Sequence, residues 1–479
     1  MNFFYEILSV NPQELVLLIF ILLGIIFSFI NNKTLNKFAF SYAITAIISA
    51  VFATLFINIS LHPQTVFSFT SSDIFTVTMK TLILFSTIMI ILLSKKFVKD
   101  HFNKAFEYYV LLLTGSLGAC CLVISNDFIT AFVSLEMISV SCFLLTGFTK
   151  NEKALEGSIK YLIQSTVASA IFLFGVSYIY GISGSIHFNE ITDFCLNGVP
   201  TFLYPALGLI LISGIMFKLG CVPFTNWIPD IYEAAPYSVG AYISLIPKIA
   251  GFGFLVRVFN FVFPQMPVIS AVLIVISLVS VFFASLGAMR QSNIKRLWGY
   301  SSIIHSGFIL AAVALTSIYS LSAVLFYLIT YIFMNLGVWC AAYQFKLNTG
   351  SDLIEDYKGL YKKRPYFALA YTVCIVSLAG LPLTSGFLSK LYLFSSVIKQ
   401  GPEFTPVVIL LLCFCLFSVF AYFSVIKNMF ISSSKLLSFN FKFSVADILL
   451  YICTIITIAI CIVPNPFINI SQIIAYYIQ

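Results

Sequence analysis

Charge is what this chain most lacks. Only 9% of its 479 residues are Asp, Glu, Lys or Arg, against roughly 25% in a soluble domain. That deficit excludes a water-facing surface over most of the length. The 11 cysteines are scattered and form no C-x-x-C pair, so no zinc-ribbon or iron–sulfur spacing is present and no metal site is indicated. They read as small apolar fillers. No Gly-rich dinucleotide fingerprint occurs either, so no nicotinamide or flavin site is expected on the chain itself.

In place of charge there is a 60% hydrophobic composition and a mean hydropathy of +1.02. Apolar runs of about 20 residues recur from end to end, and in a bilayer such runs are spanning helices, which satisfy their own backbone hydrogen bonds. Fourteen are read, near 12–31, 38–61, 73–94, 106–125, 127–149, 154–182, 202–222, 237–262, 267–288, 297–316, 319–346, 366–399, 405–430 and 446–463. The first has no basic residues before it and no small-residue cleavage site, so it reads as a retained span. The expected fold class is therefore an all-α polytopic membrane protein with about 14 transmembrane helices.

The formal charge of +8 could point to nucleic acid, but 19 of the 26 Lys and Arg fall in alternate loops. These are Lys33 and Lys37; Lys95, Lys96, Lys99 and Lys104; Lys150 and Lys153; Arg290, Lys295 and Arg296; Lys346, Lys358, Lys362, Lys363 and Arg364; Lys427, Lys435 and Lys442. The intervening loops carry almost none apart from Lys399, with Arg257 near the end of its span; the loop 183–201 has Glu190 and Asp193 and no lysine. By the positive-inside rule the basic loops face the cytoplasm or matrix and both termini face outside. Membrane orientation accounts for the charge, and no nucleic acid is expected.

Some charges lie inside the apolar runs: Lys80, Lys160, Lys218, Lys248 and Lys390, joined by Glu136 and His305. A lysine at a helix centre costs ~2.5–3.5 kcal/mol on insertion scales. Lys80 is about seven residues from its helix start, roughly 10 Å deep, and snorkelling to the headgroups suits it. Lys160 has similar depth, and snorkelling and function both fit. Glu136 and Lys248 are about ten residues in, roughly 15 Å deep, beyond the reach of a carboxylate. Such groups face a bundle interior and mark ion or proton paths, and Lys218 is read with them. His305 fits either a satisfied structural role or a proton relay.

Two runs also break. LGCVPFT at 219–225 and AGLPLTS at 379–385 each open a Gly–Pro interruption, with Gly220 and Pro223 in one and Gly380, Pro382 and Gly386 in the other. They fall in the seventh and twelfth runs, five apart, and an odd number of crossings inverts the next copy. Paired interruptions in inverted halves point to a transporter's working site. An interrupted helix admits water and free carbonyls at the midplane, where a lysine can gain and lose a proton. A lysine stands beside each break: Lys218 before Pro223, and Lys390 after Pro382.

VPFTNWIPDIYEAAP at 222–236, PKIAGFGFLVR at 247–257, SIKYLIQSTVASAIFLFGVSYIYGISGS at 158–185, SNIKRLWGYSSIIHSGF at 292–308 and KGLYKKRPYFALAYTVCIVSLAGLPLTSGFLSKLYLF at 358–394 together resemble the antiporter-like subunits of respiratory complex I. Lysine at 390 and the PDIYE phrase favour the subunit-N branch of NADH-quinone oxidoreductase over its sisters M and L. The resemblance covers roughly 105–400. It implies Glu136 and Lys218 as a carboxylate–lysine pair, Lys248 as the central lysine, Lys390 as the terminal lysine, and further relay roles for Lys160 and His305. Thr225 stands where the family often has histidine, and Ala235 where it has glycine.

The resemblance also implies an organisation: an N-terminal three-helix segment (1–105), a first five-helix repeat (106–262), an inverted second repeat (263–430) and a C-terminal helix (431–479). The implied function is proton translocation as a membrane-arm subunit of an H+-translocating NADH:quinone oxidoreductase in a bacterial inner membrane or equivalent organelle membrane. No cofactor is expected on this chain; NADH, FMN, iron–sulfur clusters and quinone belong to partner subunits, and other membrane-arm subunits are its neighbours. Two other readings stand: an Mrp-type cation/proton antiporter subunit, and an assembly scaffold whose buried charges only lock helices together.

Overall fold

The computed structural model describes residues 11–30, 36–54, 64–66, 70–101, 104–196, 203–262, 267–431 and 442–478. Lys33 and Lys435 of the basic loops lie outside the described residues, as do 55–61 of the second apolar run and 197–201 of the lysine-free loop. Apart from one antiparallel hairpin, Gln64–Val66 with Thr70–Ser72, every regular element among the described residues is helical.

Ten of these helices are long and apolar enough to cross a membrane, and four shorter apolar helices accompany them: Ala39–Ala53, Pro205–Leu219, Pro365–Ala379 and Ser385–Ile398. The difference from fourteen runs has local causes. The run 366–399 is two helices, and the second and seventh runs are short where described. The Ile294–Val313 helix carries Lys295, Arg296, His305 and several serines, which dilute its apolar character. Beyond the last run lies a further helix, Asn465–Ile478.

Helix ends are set by short polar side chains. Asp127 accepts hydrogen bonds of 2.8 Å from the Ile129 and Thr130 amides and starts Phe128–Thr146. Asn151 does the same for Glu152–Ser183 through Ala154, and Ser317 and Ser320 form a capping box before Ile318–Thr349. Each satisfies amides that a first helical turn leaves without partners.

The chain packs as two compact units, one of residues 1–219, 245–269 and 477–479, the other of 220–244 and 270–476. In the first, the Tyr42 ring lies 5.8 Å from Phe27 and 5.4 Å from Phe106. In the second, Ile318–Thr349 is buried along most of its length against Val445–Ile462. There Asp447, wholly buried, binds Arg364 at 2.9 Å and the Ser444 amide at 2.8 Å. The PDIYEAAP phrase forms the short Trp227–Ala234 helix. Arg296 clamps it through Asp230 (2.7 Å) and Glu233 (3.0 Å), and Lys295 donates to the Glu233 and Ala235 carbonyls.

Both interruptions are present as breaks in regular helix. Leu203–Leu219 ends at Gly220, with φ +70°, and Pro365–Ala379 ends at Gly380, with φ +77°. That left-handed conformation costs a residue with a side chain roughly 1–2 kcal/mol. Space forbids a side chain too. A Cβ on Gly220 would stand 1.9 Å from Ile228 Cδ1, and one on Gly380 2.5 Å from Lys390 Cδ. Gly386 opens the helix after the second break, where its Cβ would meet the Ser377 carbonyl oxygen at 1.8 Å.

Gly184 has φ +73° with open space around it. Gly184→Ala should therefore cost only the backbone strain, roughly 1–2 kcal/mol. Gly220→Ala and Gly380→Ala should lower the thermal midpoint of the detergent-purified protein further. Equal shifts for all three would show that the breaks have room to spare.

Candidate functional site

In the first unit three helices bring Glu136 and Lys218 into one neighbourhood. Glu136 stands on Phe128–Thr146 and accepts a hydrogen bond from Ser169 Oγ of Glu152–Ser183. Lys218, almost at the end of Leu203–Leu219, is 4% exposed and donates to Ser139 Oγ. Ser139 lies three residues after Glu136, one turn on along the same face. Its own hydroxyl hydrogen goes to the Leu135 carbonyl at 2.6 Å, which leaves its lone pairs to the ammonium. Glu136 is half-buried, makes no ion pair with Lys218 within 4 Å, and acts on it electrostatically. The rings of Phe217 and Tyr161 face the ammonium at 5.0 and 6.0 Å. The carboxylate and the amine thus each rest on a serine of their own, Ser169 for Glu136 and Ser139 for Lys218.

Lys248 is 3% exposed, in the same unit, on Tyr237–Arg257. Pro247 directly precedes it inside that helix and cannot donate to the carbonyl four residues back. Lys160 stands apart from this group. It lies on a partly exposed face and pairs with Glu156 at 2.7 Å, one turn away.

In the second unit Lys390 occupies the break itself. Its ammonium donates to the carbonyls of Leu378 (3.0 Å) and Ala379 (2.9 Å), and to Cys415 Sγ at 3.2 Å. Those carbonyls end the Pro365–Ala379 helix, where carbonyl groups lack intrahelical donors and the helix dipole is negative. The residue after the break therefore caps the helix before it. The Phe308 ring lies 5.0 Å from the ammonium. His305 Nδ1 is 2.7 Å from the Tyr327 hydroxyl, with the Tyr331 ring 5.2 Å away. Hydroxyls gather one turn earlier, where Ser302 meets Tyr232 at 3.1 Å and Ser301 meets Tyr422 at 2.7 Å.

Lys80 does not reach outward. Its side chain is wholly buried, with the ammonium 2.7 Å from Glu14 Oε1. The snorkelling reading is corrected by this carboxylate, which helix-depth arithmetic could not see. Other polar partners were also hidden, namely Ser139, Ser169, Cys415 and the buried Arg257–Asp73 pair at 2.6 Å. A serine three residues beyond a glutamate inside an apolar run is a signal for the first of these; Cys415 offers none.

Apolar helices, two interrupted spans and buried amines at the interruptions define a multi-pass membrane protein of antiporter-like fold. The family model described as "NADH:quinone oxidoreductase/Mrp antiporter, TM" matches residues 125–421, and the chain belongs to that family. It is 37% identical to NAD(P)H-quinone oxidoreductase subunit 2, chloroplastic, of Mesostigma viride, over 84% of this chain and 83% of that one. It is 33% identical to NAD(P)H-quinone oxidoreductase subunit 2 of Prochlorococcus marinus (strain MIT 9301), over 89% and 85%. In fold it is similar to a chain of respiratory complex I from Thermus thermophilus (TM-score 0.80, 24% identity, 95% and 98% covered). It is similar too to a chain of the Mrp complex from Dietzia sp. DQ12-45-1b (TM-score 0.81, 16% identity, 97% of each).

Lys390→Met should strand the Leu378 and Ala379 carbonyls at about 1–3 kcal/mol per buried group. Lys390→Arg keeps donors there and should cost less. Thermal midpoints of the purified protein measure the difference, and a neutral methionine would mean that other donors serve those carbonyls.

Proposed function

We propose that this chain is a proton-translocating membrane subunit of an NADH- or NAD(P)H-quinone oxidoreductase, of the subunit-2 or N type. Electron transfer from the nicotinamide to quinone occurs on partner subunits that hold the flavin and iron–sulfur centres. This chain moves protons through Glu136, Lys218, Lys248 and Lys390, with His305 as a further relay group. Its fourteen crossings form two inverted five-helix repeats behind an N-terminal three-helix segment, and both termini lie on the outer side.

One observation carries the reading. Lys218 and Lys390 rest on a neutral hydroxyl and on neutral carbonyls, with no carboxylate of the described residues in salt-bridge contact. A directly paired ammonium is held charged, whereas one on neutral acceptors responds to any carboxylate that approaches or withdraws. Such an amine can be loaded and emptied by small movements. The family's curated relatives, named as subunits of a quinone oxidoreductase, supply the energy source for those movements.

The Mrp reading is favoured by the family's own description and by the likeness to an Mrp complex. Co-purification separates the two. The oxidoreductase reading expects this chain to run with a peripheral arm containing flavin and iron–sulfur clusters; a complex without them that exchanges cations for protons would support the Mrp reading.

In the assembled complex, Lys248→Ala should abolish or strongly reduce proton transfer into vesicles. Lys390→Arg should assemble and also block it, because a guanidinium does not give up its proton. Normal pumping by both variants would make the buried lysines structural.

A further inference from the structure

The first unit contains a second cluster of buried charge, apart from Glu136 and Lys218. It lies where Pro12–Ile30 and Ile74–His101 begin and Tyr237–Arg257 ends. Lys80, 2.7 Å from Glu14, also donates to Asn11 Oδ1 at 3.2 Å, and Asn11 donates to Thr70 Oγ1 at 3.1 Å. Seven residues before Lys80, Asp73 binds Arg257 at 2.6 Å and accepts from the Thr76 amide at 2.7 Å.

These two ion pairs differ in chemistry. Arg257 keeps its proton under all ordinary conditions, so its pair with Asp73 is a fixed fastening. A lysine and a glutamate can exchange one. The Nζ–H bond breaks as an Oε–H bond forms, and an ammonium with a carboxylate becomes an amine with a carboxylic acid. Net charge is zero before and after, so the exchange adds no buried charge.

The cluster also contains polar atoms with unmet needs. Gln13 is wholly buried, and among the described residues neither its amide nitrogen nor its amide oxygen has a hydrogen-bond partner; Glu14 Oε2 has none either. Leaving buried groups in this way is destabilising, and ordered water is their usual remedy. A water held by Gln13 and Glu14 would give the carboxyl a second proton neighbour besides Lys80.

Finally, the cluster opens onto a polar track. Residues 73, 80, 87 and 94 of one helix and its cap are Asp, Lys, Thr and Ser, two turns or about 10.5 Å apart, on one face. All four are buried. Thr87 meets Ser116 at 3.0 Å, and Ser94 donates to Tyr109 at 3.5 Å. The thiols of Cys120 and Cys121 on Ala105–Ile124 lie within electrostatic reach of the Glu14–Lys80 pair.

We propose that Glu14 and Lys80, hydrated through Gln13, form a second proton-exchange site, served by the polar face of the Ile74–His101 helix. It rests on the proton-translocating reading above and adds a path through the N-terminal segment. A purely structural seam would need these hydrogen bonds and no proton movement.

The test uses the whole complex in vesicles, with protons delivered per NADH oxidised and the quinone-reduction rate measured together. Glu14→Gln keeps shape and hydrogen bonding but cannot cycle between acid and carboxylate. It should lower proton yield while electron transfer continues. Thr87→Val, nearly the same size, should also lower it, and Thr87→Ser should restore it; this pair decides the matter where Glu14→Gln fails to assemble. Full proton yield from assembled Glu14→Gln, or from Thr87→Val alone if only that assembles, overturns the proposal. Lys248→Ala, measured in parallel, separates the two ideas: a loss there beside normal Glu14→Gln and Thr87→Val overturns only this site, whereas normal yield from Lys248→Ala overturns the proton-translocating reading itself.

Discussion

An interrupted helix in a membrane must find hydrogen-bond donors for its last carbonyls, because lipid offers none. In this molecule the Lys390 ammonium does so for Leu378 and Ala379. Much of the second unit depends on that contact. It allows Pro365–Ala379 to stop within an apolar environment and favours glycine at 380, where the lysine stem fills the space, while the Gly386 amide, donating to Ser377 Oγ at 3.0 Å, seats the start of Ser385–Ile398. The same contact keeps a titratable amine deep inside the protein with no anion of the described residues in salt-bridge contact.

Five of the basic residues fall into two groups by what they touch. Lys80, Arg257 and Arg364 lie in direct contact with carboxylates, where Coulomb attraction offsets desolvation. Lys218 and Lys390 rest on neutral oxygens. The first arrangement holds helices in register. The second keeps charge adjustable. Within the first group, the lysine at 80 retains a transferable proton that the two arginines do not.

How much of this was legible beforehand follows from what each signal reports. Apolar runs report helices, and Gly–Pro phrases report their interruptions, so the breaks at 220 and 380 and the buried lysines beside them could be read directly. Run length alone shows 366–399 as one stretch, and it is the Gly–Pro phrase inside it that reports the two helices; neither signal hints at Asn465–Ile478. Contacts between distant segments have no periodic signature. Ser139 under Lys218, Cys415 against Lys390 and Glu14 against Lys80 join residues 79, 25 and 66 positions apart, and only tertiary packing brings them together. The PDIYEAAP phrase was recognisable as a motif, but its clamp by Arg296 was not. Lys80 shows the weakness of depth arithmetic, which locates a residue along a helix axis but not around it.

The packing at 380 also has a mechanical consequence. The half-helix ends touch there: the Lys390 methylenes lie against Gly380, and the Ser377 carbonyl against Gly386. The two half-helices therefore lean on each other like the arms of a bracket. A push on one arm is delivered to the other with little slack, and the ammonium wedged in the corner is the part that feels the load.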